Sequence, residues 1–344
     1  MKEYGSDFHF LPILNPKESK IRDILSNIVY YASGRQPIID LYRQNKWKGL
    51  WVPGYFCYEV LATLKRDGIN LKYYPDYPLA NDSKILLSLP FEDGDALLRV
   101  NYFGLRAVRT NNSIPVPVIE DHTHDLIGGW ATNSDADWCV ASLRKTLPLA
   151  EGGILWSPKG LKLLSKPKKT QENETLAARR WNAMRKKALY LNDKIKDKNE
   201  FRKDMLSTEE ELVKLNVSMI DRVSADYLNN FGIEKWFCQK KVNREILIRD
   251  ISAQFGSVKI LEPEDSGCYP FSLTMLFDTQ DERDDFRKRL IEHNVYPSIL
   301  WNIPDSSKFK AALDFSRRML SIHCDARYNV EDILKLETII ADYK

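Results

Sequence analysis

The sequence contains no long apolar run, since no stretch of about 18 consecutive apolar residues occurs among its 344 residues. Residues 1–7 also lack a basic segment leading into an apolar run with a cleavage site. The usual signals for membrane insertion and secretion are therefore missing. We expect a cytoplasmic protein with no membrane partner.

Cysteine is scarce and shows no pattern. The five cysteines are an odd number, widely spaced, and no two have the CxxC spacing of a zinc site. A disulfide framework would need an even, clustered set. We expect free thiols and no metal site, with the cysteines at positions 57, 139, 238, 268 and 324.

Neither sign of charge is in large excess, because 51 basic and 48 acidic residues leave a net charge of +3. This balance gives no reason to expect nucleic acid as a partner. The basic stretches around Lys168 and Lys186 are interleaved with acidic residues, and we interpret them as a solvated helical face. A nucleic-acid-binding surface and a membrane-surface patch are the alternatives, and salt-sensitive binding to duplex DNA would reveal the first.

In the first half of the chain, apolar strand-like runs alternate with segments of helical periodicity. Such alternation predicts an α/β domain with a mostly parallel sheet covered by helices. The predicted strands lie at 50–53, 71–74, 97–100 and 116–119, and the predicted helices at 33–41 and 60–64.

The character of the chain changes twice further on. From about residue 160 to 215 it is charged and rich in helical pattern, which indicates a helical connector. After Trp236 it predicts a small α+β unit with a strand at 272–277 and helices at 284–293 and 330–341. The predicted division is an N-terminal segment 1–29, a large domain 30–230 that includes the connector, and a small C-terminal domain 231–344.

Two segments indicate chemistry. The strand at 116–119 runs into the sequence Glu-Asp-His-Thr-His at 120–124, and Lys145 lies downstream at the start of a run that ends in Glu-Gly-Gly at 151–153. A lysine can hold pyridoxal phosphate as a Schiff base, and an aspartate at a strand end can keep the ring nitrogen of the cofactor protonated. Together the segments predict a pyridoxal phosphate site with Lys145 and Asp121 as its catalytic residues.

The order of these motifs resembles the DegT-type sugar aminotransferases, a branch of the fold type I pyridoxal phosphate enzymes. Ser33-Gly34-Arg35 stands where that family begins its phosphate-binding helix, and 52–55 stands at the strand-to-helix turn that faces the cofactor ring. Residues 216–219 resemble the Asn-x-x-Met segment of the family. The matches extend over roughly residues 30 to 340.

The resemblance implies a fold type I large domain with a mostly parallel sheet, a small α+β C-terminal domain, and a homodimer with shared active sites. In that family Asn216 would reach the phosphate of the neighbouring subunit, and His124 would lie near the phenolic oxygen of the cofactor. The implied cofactor-binding residues are Ser33, Gly34, Arg35, Cys57, Asp121, His124, Ser142, Lys145 and Asn216.

The chain also departs from the family pattern. Arg35 follows Gly34 where the family usually has threonine, and Cys57 stands where an aromatic side chain often stacks on the ring. Phe56 or Tyr58 could supply the stacking instead. The lysine segment is also about two residues shorter than the usual form, so these differences indicate a divergent branch.

The expected reaction is transfer of an amino group from an amino acid, glutamate by resemblance, to a keto sugar that is nucleotide-linked, with ping-pong kinetics. An amino sugar for polysaccharide biosynthesis would be one product. Other pyridoxal phosphate chemistry, such as a lyase or desulfurase reaction, and a non-catalytic cofactor-binding scaffold are the alternatives. Lysine at position 145 argues against the related dehydratases, which resemble this family but have histidine there.

Overall fold

The computed structural model describes residues 2–13, 18–251 and 258–342. Its strands are β1 (Tyr4–Gly5), β2 (Val29–Tyr31), β3 (Gly49–Pro53), β4 (Leu71–Tyr74), β5 (Asp95–Val100), β6 (Val118–Asp121), β7 (Trp138–Ser142), β8 (Gly153–Trp156), β9 (Lys259–Ile260), β10 (Leu273–Leu276), β11 (Val295–Tyr296) and β12 (Met319–Ile322). Its helices are α1 (Ile21–Ile24), α2 (Gln36–Gln44), α3 (Tyr58–Arg66), α4 (Asp82–Leu86), α5 (Gly129–Thr132), α6 (Leu143–Thr146), α7 (Gln171–Leu191), α8 (Asn199–Lys214), α9 (Arg222–Asn230), α10 (Ile233–Ile251), α11 (Gln280–Glu292), α12 (Lys310–Arg318) and α13 (Val330–Ala341).

A seven-stranded sheet in the order β2-β8-β7-β6-β5-β3-β4 organises the first half of the chain. The five strands from β7 to β4 are parallel, whereas β8 is antiparallel to both of its neighbours. The predicted α/β class with a mostly parallel sheet is confirmed.

Both faces of this sheet are covered, which explains the nearly continuous apolar runs of its strands. Along β6, Val118 joins one core layer and Ile119 the other. On the neighbouring β7, Cys139 and Val140 divide in the same way. Successive residues of these strands therefore face two different environments, one of which contains the candidate site.

The C-terminal part has its own small antiparallel sheet, β12-β10-β9, with a third buried core of apolar residues from β10, β12, α11 and α13. The N-terminal β1 pairs in parallel with β11, so residues 4–5 are held by the C-terminal elements. The charged segment predicted as a helical connector contains α7 and α8, which pack against each other.

Some predicted boundaries are wrong. The strand predicted at 116–119 is observed two residues later as β6, which makes Asp121 the last strand residue rather than the second residue beyond the strand. Pro117 has no N–H to donate and contributes only its carbonyl, which accepts a hydrogen bond from the Leu97 N–H at 2.9 Å. The helix expected from Ser33 begins at Gln36. Strands β2, β7 and β8 were not predicted, because periodicity alone does not distinguish a short apolar run in a strand from one in a buried helix.

The cysteines and the lengths of the helices bear on two further expectations from the sequence. Cys57 and the other four cysteines are all free thiols in the structure, as predicted. Within the described ranges, no helix has both the length and the apolar composition needed to cross a bilayer.

Candidate active site

A cavity of about 300 Å³ lies at the carboxyl ends of β5, β6 and β7. Parallel strands end at the same edge of a sheet, so the residues that follow them meet there. Eight of the nine residues proposed from the sequence line this cavity: Ser33, Gly34, Arg35, Cys57, Asp121, His124, Ser142 and Lys145.

Asp121 is placed by the sheet itself. As the last residue of β6 it is paired with Val100 of β5 and Val140 of β7, and its carboxylate accepts the Thr123 N–H at 2.8 Å. Burial raises the pKa of Asp121 above its ordinary value of 3.8. Among the described residues no cationic side chain forms an ion pair with this carboxylate. It is therefore available to a cationic group bound in the cavity.

Lys145 lies on the short helix α6, directly after β7, and is accessible from the cavity. The positive charge of Arg144, together with desolvation by the surrounding cavity walls, lowers the pKa of Lys145 from its ordinary 10.5, although the side chain is open to the cavity. Its amine makes no hydrogen bond or ion pair with the described part of the chain. A lysine with a lowered pKa and a free amine can act as a nucleophile and as a proton carrier.

Ser33 and Gly34 form a turn before helix α2. A side chain on Gly34 would collide with Ser142, because its Cβ would lie 2.6 Å from the Cβ of that serine. A side chain on Gly153 would collide with the carbonyl of Ser33. Glycine at positions 34 and 153 therefore lets this turn pack against β7 and β8. The Ser33 hydroxyl is buried without a partner, and the amino end of α2 favours an anion nearby.

Arg35 adds a positive charge at the same end of the cavity. It is 8% exposed and donates a hydrogen bond to the Thr63 hydroxyl at 3.0 Å. Burial, followed by the neighbouring charge of Arg144, lowers the pKa of Arg35 below its ordinary value. A buried guanidinium that pairs with no carboxylate among the described residues favours a phosphate as its partner.

His124 is enclosed by aromatic rings. Its ring centroid lies 4.6 Å from that of Phe271 and 5.6 Å from that of Trp301, and its Nδ1 accepts the Phe103 N–H at 3.2 Å. Burial and the nearby Lys145 lower the pKa of His124 to about 3. The imidazole is therefore neutral at pH 7 and can donate from Nε2.

The side of the cavity expected to face the cofactor ring contains Phe56, Cys57 and Tyr58, all of which line it. Trp301, which also lines it, packs with its ring centroid 5.7 Å from that of Phe56. The sequence pattern did not single out Trp301, because this residue comes from the C-terminal part of the chain.

Asn216 does not line the cavity of its own chain. It is exposed, in the loop between α8 and α9, and its carbonyl accepts a hydrogen bond from the Gln36 side chain at 2.8 Å. This loop is thereby attached to the first turn of α2. The predicted contact of Asn216 with a neighbouring subunit stays a prediction.

Sequence reasoning also missed several polar residues of the cavity, among them Asn101, Thr123 and Arg144. Asn101 follows β5 and is 1% exposed, with its Nδ2 lacking a partner. The Thr123 hydroxyl accepts the Ser142 N–H at 2.9 Å and so connects the ends of β6 and β7. Arg144 directly precedes Lys145. The position of Asn101 at the end of a predicted parallel strand was an available signal.

The opposite face of β6 has a different construction. Glu120 is 0% exposed and its carboxylate accepts hydrogen bonds from the side chains of Asn111 and Ser134, while a ring nitrogen of His122 lies 3.1 Å away. The potential ligand atoms of Glu120, His122 and Cys139 lie within 4.8 Å of one another, a grouping that can hold a metal ion. None of these three residues lines the cavity that contains Lys145.

No protein-family model and no curated protein sequence matches the chain. Several solved structures, in contrast, match most of the chain. The sugar aminotransferase Spr1654 from Streptococcus pneumoniae, in its PLP form, is 10% identical with a TM-score of 0.62, covering 98% of this chain and 92% of that one.

Two further structures give the same result. A DegT DnrJ EryC1 StrS aminotransferase from Brucella abortus is 12% identical, with a TM-score of 0.59 over 93% of this chain and 86% of its own. DesI, solved in the presence of its TDP-sugar product, is 14% identical, with a TM-score of 0.63 over 93% of this chain and 82% of its own. The chain therefore has the fold of the sugar aminotransferases, as the resemblance of its motifs implied.

Proposed function

We propose that this protein is a pyridoxal phosphate-dependent aminotransferase that moves an amino group from an amino acid to a keto sugar. The observation that carries the proposal is the convergence of Lys145, Asp121 and the turn at Ser33-Gly34 on one cavity. These residues are distant in sequence, and each has a free group of the kind that a different part of the cofactor requires.

The residues fit the cofactor. Asp121 would hold the ring nitrogen, because its carboxylate has no cationic partner among the described residues. The unpartnered Ser33 hydroxyl, the amino end of α2 and the Arg35 guanidinium would hold the phosphate. Lys145 would hold the aldehyde carbon through its amine. When bound, the cofactor supplies an electron sink for the negative charge that forms on the substrate carbon.

The side chains of the protein supply the proton transfers. The lowered pKa of Lys145 lets its Nζ accept a proton from the substrate carbon and return it. The Asp121 carboxylate stabilises positive charge on the group that it faces. Neutral His124 donates a hydrogen bond without adding charge, and the surrounding aromatic rings exclude water.

The nature of the substrates is a further part of the proposal. The solved neighbours are sugar aminotransferases, and one of them was crystallised with a TDP-sugar product, which supports a nucleotide-linked keto sugar as acceptor. Glutamate as the donor rests on the resemblance of the motifs. The free thiols suit a reducing compartment, and we place the reaction in the cytoplasm.

We also infer a homodimer with shared active sites. Asn216 is exposed and lies outside the cavity of its own chain, so it can act on a phosphate only in another subunit. Analytical ultracentrifugation of the active protein is the direct measurement. A monomer with full activity would contradict this inference.

The proposal predicts that Lys145→Ala removes both the absorbance band of cofactor attached to the lysine and at least about 1,000-fold of the turnover. Turnover is measured as amine transfer from isotopically labelled glutamate across a panel of keto sugars. Lys162→Ala, at an exposed lysine outside the cavity, should behave as the wild type.

Wild-type protein that never forms the band after incubation with pyridoxal phosphate would refute the cofactor assignment. A band without amine transfer to any keto sugar would instead favour a lyase or desulfurase reaction, or a non-catalytic scaffold. A shift of the band on adding glutamate separates an active transaminase from the scaffold.

A further inference from the structure

A second cavity, of about 360 Å³, adjoins the first. The two share Arg144, Lys145, Phe271 and Leu300, so both give access to the same lysine. Apart from Lys145, none of the residues proposed from the sequence lines this second cavity.

The second cavity is bordered by two buried guanidiniums that share one carboxylate. Arg144 lies 2.5 Å from Glu209, and Arg180 lies 3.1 Å from the other oxygen of the same carboxylate. The side chains of Arg144 and Arg180 are only 6% and 5% exposed, and the Nε of Arg144 is buried without a hydrogen-bond partner. Glu209 thus pairs with both arginines, and Asp7 forms a longer ion pair with Arg180, so two acidic groups face the three cationic side chains of Arg144, Arg180 and Lys145.

The pKa shifts of Glu209 and Arg180 indicate an excess of positive charge at this site. Burial would raise the pKa of Glu209, but Arg144, Lys145 and Arg180 together lower it to about 2. Burial and the nearby Arg144 lower the pKa of Arg180. A further charge at this site is therefore most favourable if it is negative.

The other charged groups at this cavity do not remove the excess. Arg327 is already paired with Asp325 through two hydrogen bonds of 2.8 Å. Asp7 also lines the cavity and forms an ion pair with Arg180 at 3.8 Å, but its side chain is 58% exposed, so solvent weakens this pair. His323 has a pKa lowered by burial to about 4 and is neutral at pH 7.

We propose that the second cavity binds an anionic group of the substrate, a carboxylate or a phosphate, between Arg144 and Arg180. This inference rests on the proposed function, because it takes the reacting carbon of the substrate to lie at Lys145. Arg144, Arg180 and Lys145 all line this cavity, so the anionic group and the reacting carbon would belong to one bound molecule. The carboxylate of an amino acid donor and a phosphate on the keto acceptor are the two sources of such a group.

The test measures binding of two unreactive probes, glutarate and inorganic phosphate, to the cofactor-loaded protein by isothermal titration calorimetry. Loading fills the phosphate site at Ser33-Gly34, so the probes report on the second cavity. We expect at least one probe to bind, and Arg180→Gln to weaken that binding about tenfold or more, because a charge-assisted hydrogen bond is lost. Arg180→Lys should recover part of the affinity.

Arg185→Gln is the matched control, since Arg185 lies on the same helix but is exposed and lines neither cavity. If Arg180→Gln does not fold, Arg144→Gln serves as the second variant. Glutarate binding alone assigns the site to a carboxylate, and phosphate binding alone assigns it to a phosphate.

The inference is overturned if neither probe binds the wild type, or if both arginine variants bind the probes as the wild type does. The absorbance band of the loaded cofactor tests the proposed function separately. If that band never forms, the same variants are titrated without cofactor, and unchanged probe affinity again overturns the inference.

Discussion

Glu120 and Asp121, the neighbouring carboxylates of β6, lie in different environments and have opposite pKa shifts. Asp121 faces the cavity, pairs with no cation among the described residues, and has a pKa raised by burial. Glu120 faces the other side, where burial would raise its pKa but hydrogen bonds from His122, Asn111 and Ser134 lower it overall. One step along a strand therefore separates an available carboxylate from a fully bonded one, because side chains alternate between the two faces.

The comparison indicates that Glu120, which is hydrogen-bonded to three side chains, has a structural role. A buried carboxylate with all of its hydrogen bonds satisfied contributes to stability, whereas one without a cationic partner lowers stability unless a ligand supplies that partner. Replacing each carboxylate by its amide tests this difference, because the amide nearly preserves the shape of the side chain and removes its charge.

The largest expected effect is that of Asp121→Asn on turnover. The amide cannot keep the ring nitrogen of the cofactor protonated, so we expect turnover to fall by about 100-fold or more while the folded structure is retained. The measurement is the rate at which glutamate changes the cofactor absorbance. If the Asp121→Asn protein reacted as fast as the wild type, the role of Asp121 would be contradicted.

The second expected effect is that of Glu120→Gln on stability. Loss of the charged acceptor weakens three hydrogen bonds, so we expect the free energy of unfolding to fall by about 1.5–3 kcal/mol. Urea denaturation gives this value. Turnover per folded molecule should stay close to that of the wild type, and a large loss of turnover without a loss of stability would remove the distinction between the two faces.

The smallest expected effect is on the pH dependence of stability. The folded pKa of Asp121 is raised above 3.8, so its stabilising contribution is present at lower pH and is lost as pH rises through the folded pKa. The folded pKa of Glu120 is lowered below 4.5, so its contribution is present above 4.5 and is lost as pH falls through the folded pKa.

In the cofactor-free protein, the free energy of unfolding of the wild type relative to Asp121→Asn should therefore decrease as pH rises above about 3.8, until the folded pKa of Asp121 is passed. Relative to Glu120→Gln it should increase as pH rises towards about 4.5, the unfolded pKa of Glu120, and then level off. Each effect is about 1.4 kcal/mol per unit of difference between the folded and unfolded pKa. Urea titrations at several pH values measure both slopes, and slopes of the same sign would show that the two carboxylates do not differ as described.

Much of the architecture was predictable from local patterns. Strand β4 and helix α13 were predicted with the observed bounds, because apolar spacing and turn residues are properties of short segments. The sequence also predicted that Lys145 and Asp121 belong together, and the fold places both at one cavity, while their catalytic roles stay a prediction. The displaced limits of β6 show the weakness of the same approach, because the pairing of β6 with β5 and β7 decides where the strand begins.

Three features depended on the folded chain. Arg144 and Arg180 meet at Glu209 although the three belong to different helices, α6, α7 and α8, and no local pattern connects them. Trp301 reaches the cavity from the C-terminal part of the chain. The opposite pKa shifts of Asp121 and Glu120 arise from the two environments on either side of β6. Local sequence specifies the kind of side chain and the element that holds it, whereas burial and neighbouring charge depend on long-range packing, and these set the pKa values and the partners.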